Sequence, residues 1–106
     1  MRRGTTPTNT FKTNVDLSAA KVFITYAQNN LIILEKTNSD ITFSTGQSGE
    51  YLLAVELSQQ DTLAFGTGNV IIQIRAVFND GTAIASNIVR TTAEMILKDG
   101  VISYAV

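Results

Sequence analysis

Val70-Ile71-Ile72-Gln73-Ile74-Arg75-Ala76-Val77-Phe78-Asn79-Asp80-Gly81-Thr82-Ala83-Ile84-Ala85-Ser86-Asn87-Ile88-Val89-Arg90 decides the fold. Val70, Ile72, Ile74, Ala76 and Phe78 are apolar at every second position, with Gln73 and Arg75 between them. A period of two describes a strand with one buried face. Asn79-Asp80-Gly81 follows, then a second run that can alternate, Thr82 to Arg90. Asp-Gly between two such runs is a strong hairpin signal, because both residues tolerate the positive φ of tight hairpin turns. The class is therefore antiparallel β.

Upstream, Ser58-Gln59-Gln60-Asp61 offers a helical start, a capping serine with an acid three positions on. Gly66-Thr67-Gly68 must end it, so at most one short helical turn fits near 58–64. Glu50 to Leu57 reads as a strand, with Tyr51, Leu53, Val55 and Leu57 on one face and Leu52, Ala54 and Glu56 on the other. Ile41 to Ser44 is a short strand with Ile41 and Phe43 on one face, after a turn at Asn38-Ser39-Asp40. Lys21 to Ala27 and Leu31 to Thr37 are strands joined by Gln28-Asn29-Asn30, where asparagine accepts left-handed backbone. Leu31-Ile32-Ile33-Leu34 has no polar alternate and should be covered on both faces, by its own domain or a neighbour. Phe11 to Val15 is the expected first strand, Phe11 and Val15 inward, after an extended Thr5 to Thr10 around Pro7. Thr91 to Leu97 continues the last strand or starts another, Asp99-Gly100 turns, and Val101 to Val106 is an apolar tail. Seven or eight strands at this spacing indicate a sandwich or barrel. No linker or repeat divides residues 1–106, so one domain is expected.

Composition narrows function by exclusion. The chain has no cysteine and no histidine. Ser-His and Cys-His nucleophiles, disulfides and metal sites built on imidazole or thiolate are thereby ruled out. The acids sit mostly in predicted turns and at strand ends, where they serve turn formation. Asn38-Ser39-Asp40 and Asn79-Asp80-Gly81 match no calcium loop, and Gly66-Thr67-Gly68 opens a strand rather than a phosphate-binding helix. No catalytic residue, metal or cofactor is expected. Eight scattered basic residues against nine acidic ones give a net charge of −1, without the basic stripe of a nucleic-acid binder. No apolar run is long enough to span a membrane as a helix. Met1-Arg2-Arg3 has the charge of a signal-peptide start, but polar Thr5 to Thr10 follows, so no secretion signal is expected.

Charged residues make up 16% of the chain, against about 25% in ordinary soluble domains. Apolar residues also recur on the second faces of strands. Ile71 and Val77 share a face with Gln73 and Arg75, and Ile32 and Leu34 share one with Lys36. One reading is a sheet curling over its own loops, or scattered exposed apolar residues. The other is a protein–protein face with Ile32, Leu34, Ile71 and Val77 as candidate contacts, to which unpaired strand edges would add.

Leu57 to Phe65 resembles the corner that precedes the sixth strand of immunoglobulin-like sandwiches, though the inter-sheet cysteines and core tryptophan of antibody domains are missing. A longer likeness runs over nearly the whole chain. Met1 to Thr8, Thr25 to Asn29, Leu34-Glu35-Lys36, Asp61-Thr62-Leu63, Ile72 to Arg75, Asp80 to Ala83 and Leu97 to Ile102 resemble a group of short proteins of phages and prophages of Gram-positive bacteria. Less closely, the chain is similar to the N-terminal sandwich domain of phage baseplate upper proteins. The resemblance implies a non-enzymatic virion component of tail or baseplate type, made in the bacterial cytoplasm. It implies protein partners: other copies, a larger tail or baseplate protein, or both. The expectation is an all-β, antiparallel immunoglobulin-like β-sandwich acting through protein–protein contacts, with no nucleic-acid or membrane partner. The alternative is a sandwich module that binds carbohydrate or a host surface.

Overall fold

The computed structural model describes residues 1–104. Among them, β1 (Thr8–Thr13), β5 (Tyr51–Glu56) and β4 (Ile41–Thr45) form one antiparallel sheet in the order β1-β5-β4. β3 (Leu31–Thr37), β2 (Lys21–Gln28) and β6 (Gly68–Val77) form the second in the order β3-β2-β6. The far edge of β6 is shared: β8 (Val89–Ala93) pairs Gly68 to Ile72, and β7 (Ala83–Ala85) pairs Arg75 to Val77. One helical turn, α1 (Gln59–Leu63), and a 3-10 turn (Asn38–Asp40) complete the regular elements. The chain changes sheet between β1 and β2, β3 and β4, and β5 and β6. That order of crossings is immunoglobulin-like. The fold is the expected all-β sandwich, with its short helix at 59–63.

Alternation builds the core. Val22, Ile24 and Tyr26 of β2 and Val70, Ile72, Ile74 and Ala76 of β6 turn inward to meet Leu53 and Val55 of β5 and Ile41 of β4. Each of the valine, leucine and isoleucine side chains among them contributes about 1.5–3 kcal/mol by leaving water. The fully buried Tyr26 ties the sheets together: its hydroxyl donates to Asn9 Oδ1 on β1 at 2.7 Å. Burial, and then the Asp61 carboxylate, push its pKa upward, so the hydroxyl keeps its proton.

Polar side chains fasten the crossings. Ser58 Oγ accepts from the Asp61 N–H, and Asp61 Oδ2 accepts from the Ser58 N–H, the capping box read from the sequence. The Gln28 amide donates to the Gly66 carbonyl at 2.6 Å and accepts the Gly66 N–H at 2.8 Å. Asn38 does the same at the start of β2, accepting the Val22 N–H and donating to the Ala20 carbonyl, both at 2.8 Å. Each amide replaces a missing strand partner at a place where backbone groups would be buried unpaired.

Three local expectations change, and a fourth narrows to one of its two alternatives. β1 runs from Thr8 to Thr13 rather than from Phe11 to Val15, and Val15 is exposed. Asp16 causes this: its carboxylate accepts from the N–H and hydroxyl of Ser18, and the resulting turn buries Leu17 instead. Thr82 to Arg90 is not one strand. Ser86 interrupts it, its hydroxyl accepting the Ile74 N–H and donating to the Asn87 carbonyl. The last strand stops at Ala93, and the apolar tail is exposed at Val101, Ile102 and Tyr104, with Ala105 and Val106 outside the described residues. Leu31 and Ile32 are not covered by their own domain, at 66% and 69% exposure.

The hairpins behave as their residues require. Asn29 and Asn30 both have positive φ (54° and 65°), which fits the two-residue turn between β2 and β3. Between β6 and β7 only Gly81 does, at 91°. Asp80 contributes its carboxylate instead, accepting the Thr82 N–H at 2.8 Å.

Candidate functional site

Residues opposite one another in a sheet point to the same side, so the register defines each outer face. On the second sheet, Phe23 stands beside Arg75 and Ala85, Thr25 beside Gln73, and Ala27 beside Ile71, which stands beside Arg90. Lys21 stands beside Val77, and Val77 beside Ala83. β3 joins with one irregularity. Tyr26 pairs Leu34 but its neighbour Ala27 pairs Ile32, so Ile33 is an extra residue. This is a β-bulge, and it breaks the alternation on which a face assignment depends.

The bulge separates two of the residues expected together. Ile32 lies beside Ala27 on the outer face. Leu34 and Lys36 lie opposite Tyr26 and Ile24, which point inward, and Leu34 packs against the core. Lys36 reaches the inter-sheet corner, where its Nζ donates to Asp61 Oδ2 at 2.9 Å with both side chains mostly buried. Burial works to raise the Asp61 pKa. Hydrogen bonds from Ser58 and Lys36 and the Lys36 charge outweigh it and hold the carboxyl below its ordinary value. The sequence offered no signal for the bulge, because four consecutive apolar residues look the same in either register.

Ile32, Ile71 and Val77 are brought together. With Phe23, Ala27 and Ile88 they line an open groove of about 520 Å³ across the outer face. Thr25, Gln73, Glu35 and Arg75 supply its polar lining. The Gln73 amide is committed, donating to the Ser86 carbonyl at 3.0 Å, so the interruption in the second strand of the hairpin also shapes the groove floor. Phe23 is 37% exposed and Ile88 40%. Neither was singled out from the sequence, although Phe23 follows from the same alternation that placed Tyr26 inward.

Glu35 is the carboxylate among the lining residues, and no cluster of described His, Cys, Asp or Glu residues could hold a metal ion. No described helix is long and apolar enough to cross a membrane. Of the tyrosines, Tyr26 is buried, Tyr51 half-buried and Tyr104 fully exposed. No family model, no curated protein and no solved structure matches this chain.

Proposed function

We propose that this protein is a non-enzymatic structural component of a phage or prophage particle, of tail or baseplate type, that works by presenting a rigid face to other proteins. The observation that carries the reading is the outer face of the second sheet. Ile32, Ile71 and Val77 lie there with Phe23 and Ile88 around one open groove instead of being scattered. An apolar surface on a chain this poor in charge favours association. The particle context comes from the sequence likeness to phage and prophage proteins. Partners under this reading are a larger tail or baseplate protein or further copies of the chain.

The test replaces Ile71 or Val77 with aspartate in the producing phage or lysogen. Incorporation into purified particles, read by immunoblot, should fall at least about tenfold, while the thermal melt of the isolated variant moves by a few degrees. Equal loss of folding and assembly would assign these residues to the core and end the proposal. Tail or capsid genes beside the coding sequence would support the context, and their absence would weaken it.

The exposed ring of Tyr104 favours a second reading, a module for carbohydrate or a host surface. It requires glycan-array binding that Tyr104→Ala abolishes.

A further inference from the structure

The charges on the outer face bear on what covers it. At its strand positions the second sheet presents Lys21, Arg75 and Arg90 outward, and one acid, Glu35. All four are exposed. Two such faces packed against each other would crowd six cations against two carboxylates, and like charges at an interface disfavour that pairing. Two other surfaces that could meet it offer no acidic complement. The outer face of the first sheet carries Thr8, Thr10, Lys12, Thr42, Ser44 and Glu56 around Leu52 and Ala54, one base to one acid. The exposed apolar residues of the C-terminal segment, among them Leu97 and Val101, share their surface with Arg2, Arg3 and Lys98 as well as Glu94 and Asp99. Glu94 and Asp99 are already paired there, with Arg2 and Arg3.

We propose that the outer face of the second sheet docks a different protein, one that presents apolar side chains flanked by carboxylates, and not a second copy of this chain. The proposal rests on the reading of this face as an interface and names the chemistry of its partner. The apolar side chains of the partner fill the groove between Ile32, Ile71 and Val77. Its carboxylates meet Arg75 and Arg90 at the margins and Lys21 at the end nearest Val77. Glu35, the one charge that β3 turns outward, selects against a partner acid on that side and fixes orientation, as a like charge does at a specific interface.

The chain itself supplies the probe. A variant with Lys21→Glu, Arg75→Glu and Arg90→Glu keeps the apolar relief and turns its cations into carboxylates. In sedimentation velocity, wild type alone and variant alone are expected to stay monomeric, while their mixture forms a one-to-one complex. Both proteins are net negative, so long-range attraction cannot produce that complex and association reports the local face. The complex should weaken by about tenfold as salt rises from about 0.05 to about 0.5 M, and should vanish with Ile71→Asp in the wild-type partner. If the triple variant fails to fold, Arg75→Glu with Arg90→Glu serves in its place. Wild type that dimerises alone, and loses the dimer with Ile71→Asp, overturns the proposal while keeping the face an interface. A mixture of folded proteins that stays monomeric overturns it as well. The interface reading itself fails separately, through normal particle incorporation of Ile71→Asp.

Discussion

The outer faces of the two sheets are built on the same backbone plan and hold different side chains. On β1-β5-β4 the outward positions are Thr8, Thr10 and Lys12, then Leu52, Ala54 and Glu56, then Thr42 and Ser44. β-branched hydroxyls and small residues suit a pleated surface that meets water. On the second sheet the same kind of position holds Phe23, Ala27, Ile32, Ile71 and Val77. Both inner faces are apolar, so the core does not distinguish the sheets. The first sheet shows that this fold can be solvated with threonine and serine. The apolar residues of the second are therefore not required by the sandwich plan, and Phe23 and Ile32 leave apolar surface exposed at 37% and 69%.

The largest test of this contrast lies at the bulge, where one extra residue decides which face a side chain joins. Leu34→Asp puts a charge against Tyr26 and the core, and should destabilise the protein by about 2–3 kcal/mol in urea unfolding. Ile32→Asp, two residues away and 69% exposed, should cost less than about 0.5 kcal/mol. Equal costs would mean that the register on β3 is regular and that Ile32 and Leu34 share a face after all.

That pair also shows where sequence reading succeeds and where it stops. The strands β2, β3, β5 and β6 and the turn at Asn29-Asn30 were legible because alternation and turn residues act locally. So was the capping box at Ser58, whose two hydrogen bonds span three residues. Ile71 and Val77 could be placed on one face because β6 is regular over its whole length. Leu34 could not, because the bulge is fixed by pairing with β2 and not by any residue type within Leu31 to Leu34. The break at Ser86 was equally hidden. Its hydroxyl substitutes for a strand partner of Ile74, and a serine between two apolar runs reads as an ordinary outward position. The clamps made by Gln28 and Asn38 join segments 38 and 16–18 residues apart, beyond the reach of any local pattern.

An intermediate effect is expected at the corner that joins the sheets. Asp61 has its folded pKa held below the ordinary 3.8 by Ser58 and Lys36 against the opposing effect of burial. A depressed acid contributes stability that is fully present above its unfolded pKa and lost as pH falls through the folded value. Stability of the wild type should therefore decline below about pH 4. Asp61→Asn should cost about 1 kcal/mol at pH 7, because a partly solvated ion pair and one half of a cap are lost together. The variant should also show a shallower decline in acid, measured by urea midpoints at pH 3, 5 and 7. Asp16 and Asp80, held low by the backbone N–H groups of Ser18 and Thr82, titrate in the same direction, so some acid sensitivity remains in the variant. An unchanged profile would remove the Lys36–Asp61 pair from any part in holding β3 to the corner.

The smallest effect is the one that makes the comparison specific. Thr42 faces outward from the edge of the first sheet, is exposed, and stands beside Ala54. Thr42→Asp should shift stability by less than about 0.5 kcal/mol and leave particle incorporation unchanged. Ile71→Asp makes a charge of the same sign on the opposite outer face, again among residues that do not form the core. If the second face alone is an interface, the two aspartates differ in assembly while both proteins remain folded. If both block incorporation, a new negative charge anywhere on the wafer is enough to disturb the particle, and the apolar groove loses its claim to be the site of contact. If neither does, the threonine face and the isoleucine face are equivalent to solvent. The groove is then surface that the fold tolerates.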